Sequence, residues 1–368
     1  MISRGKTLSS FLEEDSNSFN LVRLVAALCV VLTHAYVLLG LGDFQPLKDS
    51  TPYTIGRHAV NLFFVLSGLM LTRSLDRNPQ LVRFMWARIL RIFPALFAFG
   101  AIFAMFLGPF LTYWNLADYF IDAHTYQYPF SVLVFFNNAT PPHGIFLDLP
   151  RPGQVNGSLW TIRYEVAAYL ALAAGYAVGV LRTRLATSLL LSAAGLAIAF
   201  VELIWMGAQD TPIESLSRYS FSFLLGVNFY YWRSVIPTAW WTILPTAIVT
   251  FAINKTGFEA PAFILLCGQL GIILGTRDFG ILSKWTRKTD ISYGTYIYGW
   301  PVQQIIVPLC RNMAPLTFAL VSMLIVMPLG YLSWRLVERP ALQLKSIDLR
   351  DLMSRLSSLG RSRRMESN

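Results

Sequence analysis

The chain is poor in charged residues and in cysteine. Only 14% of its 368 residues are charged, whereas 55% are hydrophobic. Soluble domains carry about 25% charged residues, so this composition excludes a soluble domain, and its many apolar runs exclude a disordered chain. All three cysteines, Cys29, Cys267 and Cys310, lie inside apolar runs. A disulfide framework or a metal site is therefore not expected.

Several other features are missing. The sequence has no internal repeat and no low-complexity tract, which favours a single membrane domain. No basic run lies away from the apolar segments, so the net charge of +10 does not indicate nucleic-acid binding. Residues 1–20 are polar, and no small-residue cleavage site follows the first apolar run. That run is therefore predicted to be a retained span and not a signal peptide.

What the sequence does contain is a series of apolar runs near 20 residues, the length that crosses a bilayer core. They predict an all-α, polytopic membrane helical bundle of about ten transmembrane helices. The one long connection, 113–157, includes a short apolar piece that we expect to be re-entrant or interfacial. The predicted spans are 21–41, 54–72, 92–112, 158–181, 185–206, 217–232, 236–253, 260–276, 291–310 and 313–334.

The distribution of Lys and Arg predicts the orientation of these spans. With the N-terminus in the cytoplasm, 23 of the 30 basic residues fall on the cytoplasmic side and 7 on the other side. We therefore expect a multi-pass plasma-membrane protein, in bacteria an inner-membrane protein, with both termini cytoplasmic. The predicted organisation is a cytoplasmic segment at 1–20, a membrane domain at 21–340 and a basic amphipathic tail at 341–368 that contacts membrane lipid. The oligomeric state is not predicted.

Two ionisable residues interrupt the first span. Arg23 and His34 are 11 residues apart, which places them on one helical face about 16 Å from each other. Ionisable groups inside spans are costly and usually functional. His34 is a candidate proton-transfer group because imidazole titrates near neutral pH. A hydrogen-bonded structural histidine is an equally good interpretation of its position alone.

Three further residues are candidates for binding or catalysis. Arg88 and Arg91 are one helical turn apart before the third span, and such a pair can bracket a phosphate. Ordinary enrichment of arginine on the cytoplasmic side explains them as well. Glu165 lies in the fourth span, and we expect its partner on another helix, with His34 as a candidate. A structural ion pair is the alternative for Glu165.

Taken together, these segments resemble the acyltransferase-3 family of integral-membrane acyltransferases. The resemblance runs from about residue 20 to 340. Some members carry a soluble esterase-like domain after the membrane domain, and we expect this protein to be a member without one. The sequence departs from the family pattern at Asn61, where Asp is frequent, and at Gly299, where His is frequent. The motifs that carry the resemblance are Arg23-x10-His34, Phe63-Phe-Val-Leu-Ser67-Gly68, Arg88-x-x-Arg91, Ser158-Leu-Trp160 with Glu165, Ile291-Ser-Tyr293-Gly-Thr-Tyr296 with Trp300-Pro301, and Val337-Glu338-Arg339-Pro340.

The resemblance implies an O-acyltransferase that uses cytoplasmic acyl-CoA, most often acetyl-CoA, as donor and holds no tightly bound cofactor. The acceptor it implies is a hydroxyl of a surface or exported carbohydrate, including lipid-linked glycans. A succinyl donor is an alternative, and a transporter or a non-catalytic scaffold are rival classes. The implied catalytic residues are His34, Glu165 and Arg23, and the implied donor-binding residues are Arg88, Arg91, Ser67 and Tyr296.

The resemblance leaves the reaction path open in two respects. Direct transfer, with His34 as general base, requires one step fewer than a covalent acyl-histidine, so we favour it. His58 is the next candidate base if His34 is not the one, although its position before the second span is also that of an interfacial residue.

Overall fold

The computed structural model describes residues 7–13, 17–205 and 211–346, and regular structure in them is helical. Two isolated β-bridges are the exceptions. Ten helices coincide with the ten predicted spans. They are α1 (Phe19–Leu38), α2 (Ile55–Arg77), α3 (Leu81–Ile102), α4 (Ile162–Ala177), α5 (Arg184–Trp205), α6 (Pro212–Tyr231), α7 (Ile243–Ala252), α8 (Glu259–Gly275), α9 (Ser292–Cys310) and α10 (Pro315–Ser333).

The prediction of an all-α, polytopic membrane bundle is confirmed. Within the described residues, five helices are long and apolar enough to cross a membrane. The other five are shorter or contain more polar residues, as in α6, where Glu214 and Arg218 interrupt the apolar sequence. The five are α1, α2, α5, and the extended helices Leu81–Leu111 and Pro315–Gln343 that continue α3 and α10.

Segments that the charge distribution assigns to one side of the membrane meet in the structure. On the predicted cytoplasmic side, Ser18 donates to the carbonyl of Arg277 at 2.6 Å. On the opposite side, Asn254 donates to the carbonyl of Ser50 at 3.0 Å. These two contacts agree with the predicted sides of the four segments. Which side faces the cytoplasm stays a prediction.

Helices α2 and α6 form the most extensive helix pair of the bundle. Gly68 of the Ser67-Gly68 motif faces the carbonyl of Phe223, and Gly226 faces the carbonyl of Val65. A Cβ atom at either glycine would overlap the opposite main chain, so the two backbones touch directly. This close crossing accounts for the glycine of the motif by packing alone.

A fully buried ion pair lies at one end of the same helix pair. Arg218 donates to Glu214 one turn earlier, with an Nε–Oε1 distance of 2.5 Å, and to Asn61 Oδ1 on α2 at 3.2 Å. Its guanidinium also lies 4.5 Å from the ring centroid of Tyr219. Asn61, at the position where the family often has Asp, thus serves as a neutral partner of a buried arginine.

The ends of two helices differ from the prediction. Helix α3 begins at Leu81, 11 residues before the predicted span, so Arg88 and Arg91 lie inside it. Both α3 and α10 continue through π-helical turns, Phe103–Leu107 and Trp334–Glu338. Turns of this kind frequently occur at functional sites.

The structure describes part of each terminal segment. Part of the N-terminal segment packs on the bundle as the helix Leu8–Glu13, whose two leucines, Leu8 and Leu12, are buried. The amphipathic helix predicted for 341–368 lies mostly outside the described residues, which end at Ser346. The short apolar piece of the 113–157 connection belongs to the helix Ala123–Phe135.

Candidate active site

His34 borders a large cavity that opens at the end of the bundle opposite the predicted cytoplasmic side. The cavity has a volume of about 710 Å³ and is called the His34 cavity below. The imidazole packs edge-on against Trp300, with ring centroids 4.9 Å apart. Its Nδ1 atom is buried and has no hydrogen-bond partner among the described residues. One imidazole nitrogen of His34 is thus buried without a hydrogen-bond partner in the described bundle.

A second, much smaller cavity begins where the His34 cavity ends. This narrow cavity, of about 40 Å³, is lined by Arg23, Ser67 and Glu165 among others. It shares three wall residues with the His34 cavity, namely Val60, Thr161 and Tyr296. Arg23 and His34 thus border adjoining cavities, as expected of two residues on one face of α1. The small volume suits a thin, extended chain better than a sugar ring.

Hydrogen bonds from the start of the fourth span fix the wall between the two cavities. Tyr296 of α9 donates to the carbonyl of Ser158, and its hydroxyl lies 2.5 Å from Thr161 Oγ1. Asn156 donates to the carbonyl of Ile297 at 2.8 Å and accepts from Ser158 Oγ at 2.6 Å. The Asn156-x-Ser158 motif therefore attaches the 3₁₀ turn Gly157–Thr161 to α9 beside the cavities.

Four charged residues form an ion-pair cluster at the other end of the narrow cavity. Asp290 accepts from Arg23 at 2.9 Å and from Arg91 at 2.6 Å. Arg91 also contacts Glu338 at 3.2 Å, and Glu338 accepts from Ser333 at 3.0 Å. The cluster thus joins α1, α3 and the π-helical turn after α10 to Asp290, two residues before the start of α9.

The charge of Asp290 depends on this cluster. Burial alone raises the pKa of its carboxyl group, but Arg23, Arg91 and the hydrogen bonds from Ser292 lower it further than burial raises it. The resulting pKa lies well below the usual range, so Asp290 is an anion at all physiological pH values. Two partly buried arginines are thereby held in place by a permanent negative charge.

The predicted pairing of Glu165 with His34 is not found in the structure. Glu165 instead accepts from the hydroxyl of Tyr169, one turn further along α4. Glu165 lines the narrow cavity with Arg23, whereas His34 lines the neighbouring His34 cavity. Glu165 also lies within electrostatic range of Arg88.

The structure does not support the predicted phosphate-binding role of Arg91. Its guanidinium is engaged by two carboxylates and lies near the rings of Tyr293 and Trp334, at 5.5 and 5.9 Å. Arg88 projects instead toward α4, with its guanidinium 5.7 Å from the Phe84 ring and its Nε atom buried without a hydrogen-bond partner in the described chain. The two arginines therefore have different surroundings, and their joint binding of a phosphate stays a prediction.

A basic cleft that the sequence analysis did not single out lies beyond the ion-pair cluster. It has a volume of about 620 Å³ and contains Lys288, Arg335 and Arg339 without a carboxylate in its lining. Trp334 and Tyr331 supply aromatic surface, and Thr289 completes the lining. Arg91 separates this cleft from the narrow cavity, because it contacts Trp334 on one side and Tyr293 on the other. Its sequence signal was the pair Arg335 and Arg339, which lie within the π-helical turn and directly after it.

His58, the alternative base, does not border any of these cavities. It is buried between Tyr53 and Phe263, and its Nε2 atom lies 3.0 Å from Thr51 Oγ1. The interfacial position suggested for it is therefore replaced by a buried one, and its surroundings are those of a structural histidine.

One cluster with metal-ligand chemistry lies in the loop, away from these cavities. The ligand atoms of Asp122, His124 and His143 all lie within 4.8 Å of one another. Burial raises the pKa of Asp122, but hydrogen bonds from both histidines outweigh it and bring this pKa to about 2. The carboxylate is thus already satisfied by the two imidazoles, and the prediction that the chain has no metal site stays a prediction.

Comparison with known proteins agrees with this arrangement. The chain matches the family model described as an acyltransferase domain over residues 16–335. It is 28% identical over 344 residues to the O-acetyl transferase of Shigella phage Sf6, covering 88% of this chain and 95% of that protein. It is 26% identical over 361 residues to nodulation protein 10 of Rhizobium leguminosarum bv. viciae, covering 90% and 94% respectively. No solved structure matches it significantly.

The family match covers most of the chain and includes the helices that border the three cavities. Most of the π-helical turn after α10 lies outside the match. A transporter or a scaffold is therefore no longer a competing interpretation. The chain belongs to the acyltransferase-3 family and is a multi-pass membrane acyltransferase.

Proposed function

We propose that the protein is an O-acetyltransferase that moves an acetyl group from cytoplasmic acetyl-CoA to a carbohydrate hydroxyl on the opposite side of the membrane. The observation that carries the proposal is the succession of basic cleft, ion-pair cluster, narrow cavity and His34 cavity along the bundle. Such a path lets a donor and an acceptor approach one histidine from opposite sides. Both termini and the basic cleft face the cytoplasm in this proposal.

The basic cleft binds the nucleotide end of the donor. Its volume of about 620 Å³ is in the range of small-molecule sites, and Lys288, Arg335 and Arg339 match the phosphates of CoA. Trp334 offers a face on which the adenine can stack. The pantetheine arm then passes the ion-pair cluster and enters the narrow cavity, where its thioester approaches Tyr296.

His34 acts as general base in direct transfer. The acceptor hydroxyl gives its proton to His34 as its oxygen attacks the thioester carbonyl carbon. A C–O bond forms, the C–S bond breaks, and the departing thiolate of CoA takes the proton from the imidazolium. Trp300 restricts the ring orientation through its edge-on contact.

The remaining predicted residues act on the donor side of His34. Arg23 and Glu165 line the narrow cavity on opposite helices, Ser67 contributes a hydroxyl, and Tyr296 forms the boundary with the His34 cavity. In the proposal they position the pantetheine arm. Arg91 holds Asp290 and Glu338 in place, and Arg88 balances the charge of Glu165.

Loss of the cleft arginines should weaken binding of the donor without stopping acetyl transfer. Each charge-assisted contact to phosphate contributes about 1.5–3 kcal/mol, so Arg335→Gln and Arg339→Gln should each raise the KM for acetyl-CoA about tenfold or more. The kcat at saturating donor should change little, because neither residue approaches His34. The measurement is release of CoA thiol by purified protein supplied with glycans extracted from the expressing cells.

The matched control is Arg83→Gln. This substitution removes a positive charge from the predicted cytoplasmic end of α3, outside the cleft. Its KM for acetyl-CoA should equal that of the unmodified protein. Equal effects of all three substitutions on this KM would show that the donor does not bind in the cleft. A lack of any acceptor-dependent thiol release, with succinyl-CoA tested beside acetyl-CoA, would contradict the proposed function itself.

A further inference from the structure

The His34 cavity is unusually cationic for the side of the membrane on which it opens. Only 7 of the 30 basic residues are predicted to lie on that side. Four of those seven, namely Lys48, Arg57, Arg151 and Arg163, line this one cavity. Among the described residues, its lining includes no aspartate or glutamate.

Arg151 and Arg163 have no carboxylate beside them in the described part of the cavity wall. Arg163 donates to two neutral groups, the carbonyl of Trp160 at 3.0 Å and Asn137 Oδ1 at 2.6 Å. Arg151 is exposed, and its main-chain carbonyl accepts from Gln304 at 3.0 Å, which holds this part of the loop against α9. Lys48 instead forms an ion pair with Asp43, so its charge is balanced. Arg151 and Arg163 therefore give the cavity a positive potential that attracts anions.

The rest of the lining suits a carbohydrate. Aromatic side chains, including Trp160, Tyr164 and Trp300, provide flat apolar surface, and Asn137, Asn138, Gln45 and Gln154 provide amide donors and acceptors. Sugars bind to such mixtures of aromatic and amide groups, but neutral sugars have no need of the two arginines Arg151 and Arg163. The cations indicate a charged group on the molecule that occupies this cavity.

We propose that the acceptor carries a fixed negative charge, as phosphate or carboxylate, and that Arg151 and Arg163 bind this anion while a neighbouring hydroxyl reaches His34. The proposal rests on the proposed function, because it assigns the His34 cavity to the acceptor and the basic cleft to the donor. Two acceptors share this chemistry, a glycan joined to lipid through a diphosphate and a glycan that contains an acidic sugar.

Binding to the purified protein, measured by isothermal titration, tests the proposal without any catalysis. The probes are glucose, glucuronate and a geranyl diphosphate ester of glucose. At least one anionic probe should bind tenfold or more tightly than glucose, with an affinity that falls as salt rises. Binding of glucuronate alone would indicate an acidic sugar, and binding of the diphosphate ester a lipid-linked glycan.

Substitutions then show whether the cavity is responsible. Arg151→Gln and Arg163→Gln should each weaken the bound anion about tenfold, whereas Arg151→Lys should retain most of the affinity because it keeps the charge. The matched controls are Lys255→Gln and Arg311→Gln, which remove the same charge from the same predicted side but lie outside the cavity. They should leave the affinity unchanged.

Three results would overturn the inference. Glucose could bind as tightly as both anions, the cavity variants could behave like the controls, or CoA could compete with the anionic probe, which would assign the cavity to the donor. None of these results depends on turnover. Failure of the proposed function would instead appear as an absence of acceptor-dependent thiol release from acetyl-CoA.

Discussion

Replacing His34 by glutamine should lower the acyl-transfer rate by about 10²–10⁴-fold, the usual contribution of a general base. A sugar hydroxyl is a weak nucleophile unless its proton is removed as it attacks. Among the described histidines, His34 is the one that borders the basic cleft, the narrow cavity or the His34 cavity. Glutamine fills similar space beside Trp300 but cannot accept and return a proton at neutral pH. The measurement is turnover of acetyl-CoA by folded, detergent-purified protein.

The control for this experiment is His58→Gln. His58 is also a buried histidine near the same end of the bundle, but it contacts Tyr53 and Phe263 and borders no cavity. A folded His58→Gln protein should retain its kcat. If His34→Gln turned over at near the unmodified rate, His34 would have no part in proton transfer. Rapid-quench analysis for an acetylated protein would separate direct transfer from the covalent alternative.

Arg218→Ala should destabilise the protein by about 3–5 kcal/mol, the typical cost of leaving one partner of a buried ion pair uncompensated. Both side chains of the Arg218–Glu214 pair are almost fully buried, at 0% and 3% exposure. Removal of the guanidinium would leave the Glu214 carboxylate and the Asn61 amide inside the α2–α6 contact without their donor. The measurement is the free energy of unfolding in mixed detergent micelles, which should be much smaller for the variant than for the unmodified protein.

A double variant shows whether that loss comes from the stranded charge. Arg218→Met combined with Glu214→Leu removes both charges and keeps similar volumes, and buried pairs replaced in this way often cost little. The double variant should therefore be markedly more stable than Arg218→Ala. Equal instability of the two proteins would mean that packing, and not charge, makes Arg218 necessary.

The sequence predicted the helices better than their contacts. An apolar run of about 20 residues predicts a helix, and each predicted span overlaps one helix of the structure. Helix ends followed other rules: α3 begins at Leu81 because its first turns are amphipathic and not uniformly apolar. The close α2–α6 crossing could not be predicted, since Gly68 and Gly226 show their purpose only when the opposite carbonyl is known.

The candidate site shows the same division. Helical periodicity placed Arg23 and His34 on one face, because both residues lie on one element. Partners across elements could not be derived from spacing: Glu165 is held by Tyr169 of its own helix, and Arg91 is engaged by Asp290 and Glu338. The basic cleft and the cationic His34 cavity each collect residues from segments far apart in the chain, so neither could be recognised from a local motif.

In the proposed reaction, donor and acceptor reach His34 from opposite sides of the membrane. Proteoliposomes with a single protein orientation test this directly, with labelled acetyl-CoA on one side and glycans extracted from the expressing cells on the other. We expect labelled glycan only when acetyl-CoA is on the side of Lys288, Arg335 and Arg339 and the glycan is on the side of the His34 cavity. Transfer that requires both substrates on one side of the vesicle would contradict it.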